Sequence, residues 1–141
     1  MTPRPTRPAV GVVAALMVAL TVTGCETKTD ADRQFEAARL RAATALTKVD
    51  PALGATAVES IAQTTVVSTS TPRAVSELAL LEPLADDRAG WALVVRVQVE
   101  DGGGLFGGSS TESRCYAFEL DADAERVQEL PSDEVPCDEV G

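Results

Sequence analysis

Residues 91–100 read Trp-Ala-Leu-Val-Val-Arg-Val-Gln-Val-Glu, and this stretch decides the fold. Side chains alternate across a strand, so Trp91, Leu93, Val95, Val97 and Val99 share one face, while Ala92, Val94, Arg96, Gln98 and Glu100 take the other. The first face is built to be buried, and the second becomes wetter toward its end. Residues 112–120 repeat the pattern: Tyr116, Phe118 and Leu120 point to the same core, and Cys115 points to the opposite side. Two such strands joined by a short glycine-rich segment predict an antiparallel hairpin, because parallel strands need a long crossover.

Upstream, Phe35, Ala38, Ala42, Ala45, Leu46 and Val49 recur at helical spacing over residues 32–49, with Arg33, Glu36, Arg39 and Arg41 mostly on other faces. Asp30 or Asp32 is the expected cap. Asp50-Pro51 ends the helix, since the residue before proline is pushed out of the α region. A leading helix followed by strands predicts an α+β domain, an N-terminal amphipathic helix packed on a small antiparallel β-sheet. Between them, residues 52–84 leave helix and strand both open. Residues 52–63 are alanine-rich and read as a weak helix, the β-branched residues 64–71 as a strand entering a loop at Pro72, and residues 75–84 lean to strand. A final segment, 126–130 and then 133–138, returns Cys137 alongside the second strand.

Charge narrows the function. The chain has 141 residues, 22 acidic against 12 basic, no histidine, and a net charge of −10. A surface this acidic repels phosphate backbones, so no nucleic-acid partner is expected. The missing histidines remove the commonest metal ligand and the side chain that titrates near neutrality. No cofactor and no metal site are expected.

Residues 1–8 carry Arg4 and Arg7 without an acid, and residues 9–20 are apolar apart from one glycine. As a helix those twelve residues span about 18 Å, too short for a hydrocarbon core of roughly 30 Å, and the order of charged then apolar segments reads as a signal peptide. Val22-Thr23-Gly24-Cys25 resembles the bacterial lipobox. The resemblance implies cleavage before Cys25 and its lipidation, and two acyl chains such as palmitate on one glyceryl group meet the condition for stable anchoring. The expected organisation is a signal peptide over 1–24, a lipidated cysteine and tether over 25–31, and one α+β domain over 32–141. Its place is the outer face of the cytoplasmic membrane.

With Cys25 lipidated, Cys115 and Cys137 remain as a pair in an oxidising compartment, and a structural disulfide is expected. Their spacing is far from that of a redox or zinc motif. Gly102-Gly103-Gly104-Leu105-Phe106-Gly107-Gly108 lacks the lysine and following helix of a phosphate loop, and reads as a flexible hairpin connection. Its apolar tip, Leu105 and Phe106, is the candidate partner-binding contact. Asp121, Asp123 and Glu125 alternate like the opening ligands of an EF-hand, but Arg126 stands where glycine is needed and Ser132 where a bidentate glutamate is needed.

The C-terminal half, with its valine-rich strand, glycine-rich loop, Arg114-Cys115-Tyr116-x-Phe118 and Val135-Pro136-Cys137, resembles small uncharacterised actinobacterial lipoproteins over roughly residues 91–137. Ten arginines against two lysines fit a GC-rich genome. The resemblance implies a β element and a disulfide, and no catalytic residue. The expected function is a membrane-anchored, non-catalytic extracytoplasmic lipoprotein that binds a protein or cell-envelope component. The alternative is a small extracytoplasmic hydrolase using carboxylates, and the two differ in whether acids converge in a concave pocket.

Overall fold

A computed structural model describes residues 29–101 and 110–140. Helix α1 spans Asp30–Ala45 and continues as a 3-10 turn over Leu46–Lys48; helix α2 spans Ala55–Ser68. Four strands follow, β1 (Ala74–Pro83), β2 (Gly90–Asp101), β3 (Ser110–Asp121) and β4 (Ser132–Val135), and a second 3-10 turn covers Cys137–Val140. The sheet is an antiparallel meander in the order β1-β2-β3-β4, so every neighbour in space is a neighbour in sequence.

The hairpin expected from residues 91–120 forms. Trp91 pairs with Leu120, Leu93 with Phe118 and Val95 with Tyr116, which stacks the two apolar faces in register. Both helices lie on that face. Phe35, Ala38, Ala42 and Leu46 of the first helical run and Val58, Ala62 and Val66 of α2 join Leu93, Val95, Val97, Val99, Tyr116, Phe118 and Leu120 in one core. Burying each large member contributes roughly 1.5–3 kcal/mol, before the entropy of ordering it is subtracted. The fold is α+β, with an amphipathic N-terminal helix packed on an antiparallel sheet.

Three local expectations need correction. The α1 cap is Thr29, not Asp30 or Asp32: its hydroxyl accepts the Asp32 N–H at 3.1 Å and its own N–H donates to the Asp32 carboxylate at 3.2 Å. This reciprocal capping box places the helix start inside the stretch expected to be tether. The helix is also shorter, ending at Ala45 before the 3-10 turn. The β-branched residues 64–67 are helical, because Val58, Ala62 and Val66 form one buried stripe across the sheet and that packing outweighs the intrinsic strand preference of valine and threonine. The final segment does return Cys137 alongside β3, through β4, while residues 126–130 form no regular element.

Strand β1 also explains its own ambiguity. Leu78 pairs with Val95 and Leu80 with Val94, so Ala79 is an extra residue in a β-bulge. Up to the bulge Ala74, Ser76 and Leu78 face the helices; beyond it Leu81, opposite Leu93, does so. The phase of alternation flips within the strand.

Candidate functional site

The two ends of the sheet are built differently. At one end the ion pair of Arg73 with Asp30 holds the start of α1 beside the start of β1, where β2 finishes and β3 begins. Asp32 and Arg114 reinforce that junction with a contact of 2.7 Å, and the Arg114 guanidinium lies 4.3 Å from the centre of the Phe35 ring. The hydrogen bond from Arg114, and then those with Thr29, hold the Asp32 carboxyl below the usual carboxylate range; in turn Asp32 pushes the Arg114 guanidinium upward. Arg39 grips Glu36 through both carboxylate oxygens and reaches Ser132 on β4 at 3.2 Å. Burial raises the Tyr116 phenol, which lies beneath these groups. These contacts fasten α1 across β3 and β4.

At the opposite end lies a cleft of about 560 Å³ between the last turn of the first helical run and the ten-residue connection from β3 to β4. Leu46 and Val49 from the helix end and Leu120 from β3 back it as buried members of the core, and the half-buried Leu130 and the exposed Val127 of the connection present apolar surface to it. The sequence builds each side by a local stop. Asp50-Pro51 breaks the helix, and the Asp50 carboxylate accepts the Ala52 N–H at 2.9 Å, turning the chain away. Past β3, Asp121 accepts the Asp123 N–H at 2.9 Å in a similar turn. Leu130 then donates its N–H to the Ala43 carbonyl at 3.1 Å, which seals the connection against α1.

The lining also includes five carboxylates, Asp50 and Glu125 beside the two turns and Glu119, Asp121 and Asp133 from the sheet face opposite the helices, with Arg126 as its cation. Arg88, from the β1–β2 turn, contacts Glu119 at 2.9 Å and Asp121 at 3.7 Å, and its own guanidinium is pushed upward by the Glu119 hydrogen bond. Asp50, Glu119, Glu125 and Asp133 are exposed.

Among the residues singled out from sequence, Cys115 and Cys137 are joined in a disulfide with their Cα atoms 5.3 Å apart. Cys115 is fully buried on the sheet face opposite the helices, with Val94 and Val140 beside it. Cys25, Leu105 and Phe106 lie outside the described residues. Asp121, Asp123 and Glu125 belong to no cluster of three or more potential metal ligands among the described residues. Sequence reasoning did not single out the cleft. Its one signal was the pair of apolar-then-proline breaks, Val49-Asp50-Pro51 and Leu130-Pro131, each of which leaves an apolar residue at the end of an element. Among the described residues no helix is long and apolar enough to cross a membrane. Comparisons of the chain with protein-family models, with curated proteins and with solved structures gave no match in any of the three.

Proposed function

We propose that the protein is a non-catalytic lipoprotein, tethered through Cys25 to the outer face of the cytoplasmic membrane, whose domain binds a protein or cell-envelope component. The observation that supports the binding role is the cleft itself, to which Val127 and Leu130 present apolar surface between the exposed carboxylates of Asp50 and Glu125. Its position supports the same reading. The start of α1, from which the chain leads back to Cys25, lies at the end of the sheet away from the cleft, so a tether there leaves the cleft facing outward. A second contact, with the bilayer or with a membrane-bound partner, is proposed at Leu105 and Phe106, which lie outside the described residues.

The test places a photo-crosslinking side chain at Val127, which lines the cleft, and in a second protein at Glu77 on the opposite sheet face. Intact cells are irradiated and adducts are identified by mass. A discrete adduct from Val127 and none from Glu77 supports the reading, as does release of the Cys25→Ser protein from the membrane fraction. Equal labelling from both positions, or no membrane association of the wild type, overturns it.

A further inference from the structure

A second cavity, of about 490 Å³, lies between the first helical run and the end of α2 and shares no lining residue with the cleft. We propose that it binds a small oxoanion, either a phosphate ion or the phosphate group of a small ester. Arg41, Thr44 and Lys48 recur at helical spacing and form one wall, while Ser-Thr-Ser-Thr at 68–71 forms the other. In a chain with a net charge of −10, this lining holds two cations and no carboxylate. Neither cation is neutralised, since the salt-bridge pairs of the described residues include neither Arg41 nor Lys48. The last turns of both helices border the cavity, and the half negative charge of each helix end offsets about one of the two cations. The other remains.

Arg41 carries the argument. Its Nε donates to the Thr69 carbonyl at 3.0 Å, which fixes the guanidinium against the end of α2. Its Nη2 is buried with no hydrogen-bond partner, and Nη1, which makes no hydrogen bond among the described residues, is open to solvent. A buried donor without an acceptor is costly and uncommon, and an ion close by is one of the few things that relieve it. The hydroxyls add to the donor excess. Ser68 and Thr69 donate to the Thr65 and Val66 carbonyls, whereas Thr71 Oγ1 accepts the Ala74 N–H and Thr44 Oγ1 makes no hydrogen bond among the described residues, so both of the latter keep an unused proton. The contacts assigned to the anion are Arg41 Nη1, the Lys48 ammonium and the hydroxyls of Thr44 and Thr71, with the charge on the sealed Nη2 acting from behind. Four donors from two walls suit the several oxygens of a phosphate better than the two of a carboxylate. The acidity of the whole chain repels a polyanion, which restricts the occupant to a small species.

The probes are inorganic phosphate and, separately, glycerol 1-phosphate, titrated into isotope-labelled protein against sodium chloride at matched ionic strength and followed by amide chemical shifts. Phosphate should move the signals of Thr44, Lys48, Ser70 and Thr71 with a Kd on the order of 1 mM, and chloride should not. Tighter binding of the ester names a phosphate ester as the source, and tighter binding of inorganic phosphate names the free ion. Arg41→Gln should weaken binding about tenfold or more, because it removes a charged donor, and Lys48→Gln about two- to fivefold. Arg126→Gln, which removes a cation of the other cleft, should leave binding unchanged. Thermal melts verify folding, and Lys48→Gln, at an exposed position, tests the site if Arg41→Gln does not fold. An absence of phosphate-specific shifts up to about 10 mM, shifts that map elsewhere, or equal weakening by Lys48→Gln and Arg126→Gln overturns the proposal.

Discussion

Removing the disulfide should cost this domain about 3–5 kcal/mol. The bond closes a loop over a sequence separation of 22 residues, for which the chain-entropy relation gives about 11 cal/mol/K, or about 3 kcal/mol at 25 °C. A second contribution comes from the folded side. The Cys137–Val140 turn lies over the outer sheet face, and freeing it exposes Val140 at a further cost of at most about 1.5 kcal/mol. Against a typical total of about 5–15 kcal/mol this is a large fraction. The assay is urea unfolding in a Cys25→Ser background, which leaves Cys115 and Cys137 as the only thiols, comparing the oxidised protein with Cys137→Ser. The midpoint should fall, and the slope should rise because the unfolded chain without its cross-link is more expanded. Amides of residues 132–140 should lose exchange protection before the core does. A stability difference under about 1 kcal/mol, or unchanged protection of that segment, would refute the reasoning.

Gly90 has φ +135°, and a Cβ built on it would stand 2.0 Å from the Leu120 carbonyl oxygen, so Gly90→Ala should lower stability by more than about 2 kcal/mol in thermal unfolding. A loss within about 0.5 kcal/mol would show that the β2 start can shift at no cost. Ser76 is buried opposite Val97 and its hydroxyl has no hydrogen-bond partner among the described residues; Ser76→Ala should therefore be neutral or stabilising by up to about 1 kcal/mol, and a clear destabilisation would reveal an unseen partner. The Asp32 carboxyl is lowered on folding, so its contribution is complete above the unfolded value of 3.8 and is lost as pH falls through the lower folded value. The melting-temperature gap between wild type and Asp32→Asn should accordingly be constant above about pH 5 and close in stronger acid; a gap unchanged down to pH 2 would contradict the pairing with Arg114.

What could be read from the sequence follows from how locally each element is determined. Residues 91–100 and 112–120 alternate without interruption because β2 and β3 carry no bulge and present one face to a continuous core. The first helix was legible for the same reason, with Phe35, Ala38, Ala42 and Leu46 on one stripe and a proline break after it. In β1 the bulge at Ala79 shifts the inward set from Leu78 to Leu81, so no single period fits the strand. In α2 the buried stripe consists of only Val58, Ala62 and Val66, while Ile61 and Val67 remain exposed; a helix with such a weak contrast is specified by the sheet beneath it, which the local sequence does not describe. The cleft was hidden more deeply, since its walls come from positions as far apart as Leu46 and Leu130 and meet only when the sheet is assembled.

The cleft is nevertheless a consequence of the topology. Adjacent antiparallel strands need a loop of about two to five residues, yet ten separate β3 from β4. The excess cannot be attributed to reaching Cys115, because β4 already pairs Val135 with Cys115 once it has formed. It goes the other way: the connection leaves the sheet at Asp121 and bends round the end of the first helical run, where Leu130 bonds to Ala43 and joins the core. A connection that only closed a hairpin would leave Leu46 and Leu120 open to water at that end. One drawn tightly over them would fill the space. The observed course keeps Leu46 and Leu120 buried, while Asp121 and the exposed residues after it hold the middle of the segment out in solvent and Leu130 pins its far end. A cleft lined by Pro51, Val127 and Leu130 above that buried core is what remains between those two constraints.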